Sequence, residues 1–168
     1  MEYKVFDNFL DKDAVKTLQQ TMLGGDFPWF YKKTKVFDSD ISKPYLFQFT
    51  HTFYQDFAPT SSYFNLLFPL INKMEVKSLV RIKANLTTRT PDRIVYGHHV
   101  DYDDTKFLKT AVFYLNTNDG LTVFENGTEI ESIENRLLVF DSSLKHSGTS
   151  STNENARSVI NINYYDLV

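Results

Sequence analysis

The sequence contains no cysteine. That absence excludes disulfides, thiolate metal ligands and a cysteine nucleophile together. Long apolar runs are missing too. No stretch approaches the roughly 20 residues that span a bilayer, and the start, "MEYKVFDNFL", has neither the basic opening nor the apolar core of a signal peptide. A soluble cytoplasmic protein with no membrane partner is the expectation. There is no basic excess. Lys and Arg number 18 against 21 Asp and Glu, giving a net charge of −3, whereas nucleic-acid-binding proteins carry clustered positive charge. The one basic run, Lys32, Lys33 and Lys35, reads as a solvated face, so nucleic acid is not an expected partner. Histidine is scarce, four in 168 residues, and its placement is therefore informative.

Apolar material is plentiful. With 42% hydrophobic and 15% aromatic residues, the chain has enough for the core of one compact domain. Its patterning changes once. In "DKDAVKTLQQTML", Ala14, Val15, Leu18 and Met22 recur at helical spacing behind Asp11 and Asp13, which predicts a helix over about 11–23. "GGDFPWF" breaks it. A second helix is predicted over "YFNLLFPLINKM", with Pro69 kinking it or sitting near its start. From residue 78 onward the text turns strand-like: "SLVRIKANLTT", "RIVYGHHV", "KTAVFYLNT", "LTVFE", "TEIESI", "RLLVFDSS" and "RSVININYY". The Asn-Gly pair of "ENGT" predicts a tight hairpin. The expectation is an α+β fold, a jelly-roll or cupin-like barrel over about 78–168 with supporting helices over about 1–77.

Two of the four histidines stand in "YGHHVDYDD", residues 96–104. On a strand, side chains two apart share a face. His99 therefore points with Asp101, and His98 with Val100, so a metal would take His99 and Asp101. Asp103 and Asp104 read as solvated or substrate-facing loop residues. His146 follows the apolar run Leu137 to Phe140 and stands where a side chain enters a cavity. Two histidines and a carboxylate make a 2-His-1-carboxylate set, which leaves metal positions open and suits non-haem Fe(II). Zinc with the same ligands is the alternative. Eleven residues after His146, Arg157 heads a strand whose alternation puts Arg157, Val159, Asn161 and Asn163 on one face. Aimed inward, its guanidinium needs an anionic partner. His51, in "LFQFTHTFY", has no motif around it and reads as structural or surface.

His99-x-Asp101, His146 after "RLLVF", and Arg157 in that order resemble the 2-oxoglutarate/Fe(II)-dependent oxygenases, most closely their prolyl 4-hydroxylase-like branch. The resemblance covers about residues 78–165 and implies a double-stranded β-helix. In "KTAVFYLNT", Tyr114 is similar to the tyrosine that hydrogen-bonds 2-oxoglutarate, with Thr110 beside it. Tyr96 resembles a tyrosine placed three residues before the first ligand, and "GLTVF" resembles a glycine-led strand. A further tyrosine common in the branch is missing where this chain has Arg89 and Thr90, and Asn85 is the candidate for part of its work.

The resemblance implies Fe(II) on His99, Asp101 and His146, with Arg157 and Tyr114 holding 2-oxoglutarate as cosubstrate. O2 is the oxidant, ascorbate a stimulant, and the substrate is hydroxylated with release of succinate and CO2. A peptide residue, proline first, is the expected target. A free amino acid or small metabolite is the alternative, alongside a zinc-dependent or non-catalytic cupin-like protein. Aromatic residues in "GGDFPWFYKK" and "YLFQFTHTFYQDF" either line a peptide groove or seal the core. Oligomeric state is not legible.

Overall fold

The computed structural model describes residues 3–102 and 107–166. Asp103 and Asp104 lie outside the described residues. In chain order the elements are β1 (Tyr3–Phe6), α1 (Lys12–Met22), β2 (Phe30–Lys32), β3 (Gln48–Gln55), β4 (Ala58–Pro59), α2 (Phe68–Lys73), β5 (Ser78–Thr88), β6 (Leu108–Tyr114), β7 (Leu121–Phe124), β8 (Glu129–Glu131), β9 (Arg136–Asp141), β10 (His146–Gly148) and β11 (Ala156–Tyr165).

Both helices form where periodicity placed them. α1 starts behind Asp11 and buries Val15, Leu18 and Met22. The second region is a 3-10 turn, Phe64–Leu67, leading into α2, and Pro69 sits in the first turn of α2, where its missing N–H matters least. Asn126 and Gly127 turn the β7–β8 hairpin, with Gly127 at φ +85°.

The strands form two sheets. The larger runs β1-β9-β6-β11-β5-β3-β2, with β4 added on β3, and the smaller runs β10-β7-β8. The expectation of an all-helical support is corrected here. β1 pairs with β9, and β3 with β5, so residues before 78 contribute strands to the large sheet. The expected barrel is also not a closed one: the ladders end at β1 and β2 in one sheet and at β10 and β8 in the other. The protein is sheet-rich with few helices.

Strand alternation separates two cores. Ala111, Phe113, Ile160 and Ile162 face the helices, where they meet Val15, Leu18, Met22, Leu67 and Leu70. Val112, Tyr114, Leu138 and Val159 point the other way, toward Phe124 and Ile130 of the small sheet. A helical layer, the large sheet and the small sheet thus stack in order. Asn135, at φ 60°, ties the layers: its side chain accepts from the Leu10 amide at 2.7 Å and donates to the Leu10 carbonyl at 2.8 Å. Among the described residues no helix is long and apolar enough to cross a membrane.

Candidate metal and anion site

The segment carrying His99 departs from expectation. "RIVYGHHV" is not a strand but an extended stretch with two isolated bridges, Val95 to Thr149 and His99 to His146. The second bridge is reciprocal, with the His99 amide 2.9 Å from the His146 carbonyl and the His146 amide 3.0 Å from the His99 carbonyl. Strict alternation is lost around it: Tyr96 is buried and His98, two residues on, is exposed, while His99 turns inward.

His99, Asp101 and His146 each offer a ligand atom, and these atoms lie within 4.8 Å of one another. Each imidazole is oriented from behind. His99 Nδ1 lies 3.1 Å from the Gly97 carbonyl, and His146 Nδ1 lies 2.9 Å from the Leu144 carbonyl. A carbonyl only accepts, so Nδ1 carries the hydrogen in both rings and Nε2 is left as the donor to a cation. Asp101 is held by Thr110 Oγ1 at 2.8 Å and Asn163 Nδ2 at 3.0 Å, both on Oδ2, while Arg81 stands 3.4 Å from Oδ1. Burial pushes the Asp101 carboxyl up, but the charge of His146, then Arg81 and the two hydrogen bonds, outweigh it and hold it below the usual range. Burial lowers His146, against the pull of Asp101. A carboxylate and neutral imidazoles are the protonation states a divalent cation requires. The donor set fits a hard or borderline divalent metal with open positions.

The same cavity, about 100 Å³, reaches from this cluster to Arg157. Arg157 is 5% exposed. Its Nε donates to Ser132 Oγ at 2.8 Å and its Nη2 to Thr122 Oγ1 at 3.2 Å. No carboxylate pairs with it among the described residues. Burial pulls the guanidinium below its ordinary value. Gly120 makes room for it: a Cβ there would stand 2.5 Å from Arg157 Cδ.

Not all residues expected around the cosubstrate line this cavity. Tyr96, Asn85 and Arg157 do, whereas Thr110 and Tyr114 stand behind the lining. Thr110 serves Asp101. Tyr114 is fully buried, its hydroxyl donates to Thr122 Oγ1 at 2.7 Å, and the Arg157 guanidinium lies 5.7 Å from its ring centre. Asn85 Oδ1 is buried without a partner. The Tyr96 hydroxyl is buried near Ser150 and Thr87 without a well-formed hydrogen bond, and burial pushes it up to about 12. His51 is structural, its nitrogens 2.8 Å from the Pro28 carbonyl and 2.7 Å from Ser61 Oγ.

The family resemblance points to Asn85 but not to its cavity neighbours Arg81, Lys83 and Thr87. Arg81, Lys83, Asn85 and Thr87 alternate along β5 into the cavity, and that period-2 polar face was legible in "RIKANLT". Lys83 is lowered to about 8 by burial first and then by Arg81 and Lys32. Lys35 corrects an expectation. Rather than forming a solvated face with Lys32 and Lys33, it turns its ammonium into the cavity.

No protein-family model matches the chain, and no curated protein matches it. Solved structures do. A prolyl hydroxylase from Trichoplax adhaerens, in complex with a hypoxia inducible factor oxygen degradation domain peptide fragment, superposes with a TM-score of 0.68 at 16% identity, covering 98% of this chain and 83% of that one. The viral collagen prolyl hydroxylase of Paramecium Bursaria Chlorella virus-1, in its 2-oxoglutarate complex, gives 0.64 at 15% identity, covering 100% and 97%. HygX from Streptomyces hygroscopicus, with nickel, 2-oxoglutarate and hygromycin B bound, gives 0.61 at 12% identity, covering 97% and 82%. The chain therefore has the fold of prolyl hydroxylases and other 2-oxoglutarate/Fe(II) oxygenases, and the family resemblance carried by His99, Asp101, His146 and Arg157 agrees with that fold.

Proposed function

We propose that this chain forms a 2-oxoglutarate- and Fe(II)-dependent dioxygenase domain that hydroxylates its substrate and releases succinate and CO2. Its facing sheets are read as the two halves of a double-stranded β-helix. One observation carries the reading: a single cavity has a 2-His-1-carboxylate cluster at one end and, at the other, a buried arginine that no carboxylate of the described residues pairs with. A small molecule with a metal-binding group and a distal carboxylate satisfies both ends. Zinc hydrolysis accounts for the first end only.

His99, Asp101 and His146 would hold the Fe(II), which when bound supplies the activation of O2 and the oxidative chemistry. The chain's own residues position. Thr110 and Asn163 fix Asp101 by holding its Oδ2, and Arg81 stands beside its Oδ1. Arg157 receives the distal carboxylate of 2-oxoglutarate, and Ser132 holds its guanidinium in place. Thr122 accepts hydrogen bonds from both Tyr114 and Arg157. That arrangement leaves its own hydroxyl hydrogen for an acceptor in the cavity. Tyr114 thus acts through Thr122.

For the substrate we favour a residue in a peptide, proline first. The Trichoplax neighbour holds a peptide, and this chain exposes aromatic surface. Phe30 and Tyr31, 62% and 60% exposed, lie on β2 at the free edge of the large sheet. Phe27 and Phe53 of the same aromatic segments are buried as core. A small-molecule substrate is the second reading, supported by the hygromycin B bound to HygX.

The test is succinate formation by protein reconstituted anaerobically with Fe(II), then given O2, 2-oxoglutarate and in turn proline-containing peptides, free amino acids and alkylated single-stranded DNA. Succinate that depends on both Fe(II) and 2-oxoglutarate is expected, with peptides stimulating most. No 2-oxoglutarate dependence overturns the reaction, and stimulation by DNA alone overturns the substrate class.

A further inference from the structure

We propose that Lys35 is a second anchor for the distal carboxylate of the cosubstrate, carried into the cavity by a strap that lies outside the metal-bearing sheet. The proposal rests on the 2-oxoglutarate reading above and adds a residue to it. The strap is the segment after β2, and its backbone is fixed at three points. Gln48 Nε2 donates to the Lys35 carbonyl at 2.8 Å. Asp40 Oδ2 accepts from the Val36 and Phe37 amides, each at 2.9 Å. The Phe37 ring rests on Gly97, where an added Cβ would come within 2.2 Å of the ring, so the residue two before His99 must be glycine for the strap to lie this close.

Held there, Lys35 points inward while Lys32 and Lys33 stay exposed. Its Nζ lies 2.5 Å from Thr87 Oγ1 and 4.4 Å from the Tyr96 ring centre. Thr87 is the cross-strand partner of Arg157. Lys35 and Arg157 are therefore neighbouring cations at one end of the cavity. Among the described residues the only carboxylate in the cavity wall is Asp101, and it is engaged by Thr110, Asn163 and Arg81 at the other end. Two neighbouring cations facing a shared space repel unless an anion enters. A carboxylate has two oxygens and accepts several charge-assisted hydrogen bonds, so it has room for both donors. A lysine that only propped the strap would keep its charged head toward water and would have no reason to bring it inside.

The experiment is calorimetric titration of Fe(II)-loaded protein without O2, so that binding is read and turnover is not. Two ligands are compared: 2-oxoglutarate and 2-oxopentanoate, which keeps the metal-binding keto acid and lacks the distal carboxylate. For Lys35→Met, which keeps the apolar stem, 2-oxoglutarate binding is expected to weaken about tenfold or more, with 2-oxopentanoate unchanged. Lys35→Arg is expected to recover most of the loss. Asp40→Ala, which frees the strap without touching the cavity wall, is expected to show the same selective weakening. Unchanged 2-oxoglutarate affinity in Lys35→Met overturns the proposal, and so does equal weakening of both ligands, which marks a structural prop. If the unsubstituted protein binds 2-oxopentanoate as well as 2-oxoglutarate, the distal-carboxylate reading of Arg157 falls first.

Discussion

His99 and His146 face each other as a two-residue antiparallel bridge, and their ring centroids stand 4.8 Å apart. One ligand comes from an extended segment and the other from β10 of the small sheet, so this bridge is what joins two separate parts of the chain into one cluster. Both rings are then turned by a carbonyl two residues upstream. The cluster is thus set by backbone pairing before any cation arrives.

It follows that the ligands are separable from the fold. His99→Ala, Asp101→Ala and His146→Ala are each expected to reduce succinate formation by more than the roughly 10–100-fold that loss of a residue behind a ligand produces, with unfolding midpoints little changed. His98→Ala, at an exposed position beside them, is expected to retain most activity. An inactive His98→Ala with an active His99→Ala would reverse the assignment.

Behind Asp101, Asn163 Nδ2 donates both to Asp101 Oδ2 and to Thr110 Oγ1, each at 3.0 Å. Asn163→Ala leaves Thr110 and Asp101 without that common clamp. Metal affinity is expected to fall by about 10–100-fold, while 2-oxoglutarate affinity at saturating metal stays near that of the parent. Paired titrations with metal and with cosubstrate measure the two separately. A loss in the second alone would place Asn163 elsewhere in the mechanism.

Much of this was legible in the sequence, because the informative spacings are short. His99-x-Asp101 shares a side even without a strand, since the His99 bridge fixes the local direction. Arg157 was legible from alternation along "RSVININYY". The N-terminal strands are less legible, although "FQFTHTFYQ" is dense in aromatic and β-branched residues, a strand signal. The register of β3 shifts between Thr52 and Tyr54, which blurs its alternation. Lys35 was not legible. Its direction depends on Asp40, Gln48 and Gly97, at separations that no local pattern reports.

Gly120 gives a test of Arg157 that touches neither metal nor charge. A Cβ at this position would stand 2.5 Å from Arg157 Cδ and 2.8 Å from Asn118 Oδ1. Neither neighbour has slack, because Asn118 Oδ1 accepts from the Gly120 amide at 2.9 Å and Arg157 Nε is tied to Ser132. Gly120→Ala is expected to shift the guanidinium and weaken 2-oxoglutarate about tenfold, the scale of one charge-assisted hydrogen bond, with metal affinity intact. Unchanged cosubstrate affinity would show that Arg157 does not hold it.

The charge of Lys35 sets a pH dependence whose sign is fixed. Burial lowers its ammonium well below the ordinary value of 10.5, and Arg157 of β11 and Lys83 of β5 add to the effect. Tyr96 faces it with a ring and a hydroxyl that burial holds neutral. A carboxylate entering beside Lys35 favours the charged form, so the bound state has the higher pKa. Below the free-state pKa the lysine is already protonated and affinity is at its plateau. Above it, binding must take up a proton, and affinity falls by up to about tenfold per pH unit until the bound-state pKa is passed. Lys83, at about 8, is the competing source of such a slope, which is why two variants are compared. Titrations of 2-oxoglutarate against pH are expected to lose the slope in Lys35→Met and keep it in Lys83→Met. Calorimetry in buffers of different ionisation enthalpy is expected to show matching proton uptake in the parent. A slope that survives Lys35→Met and vanishes in Lys83→Met would move the second anchor from the strap to β5.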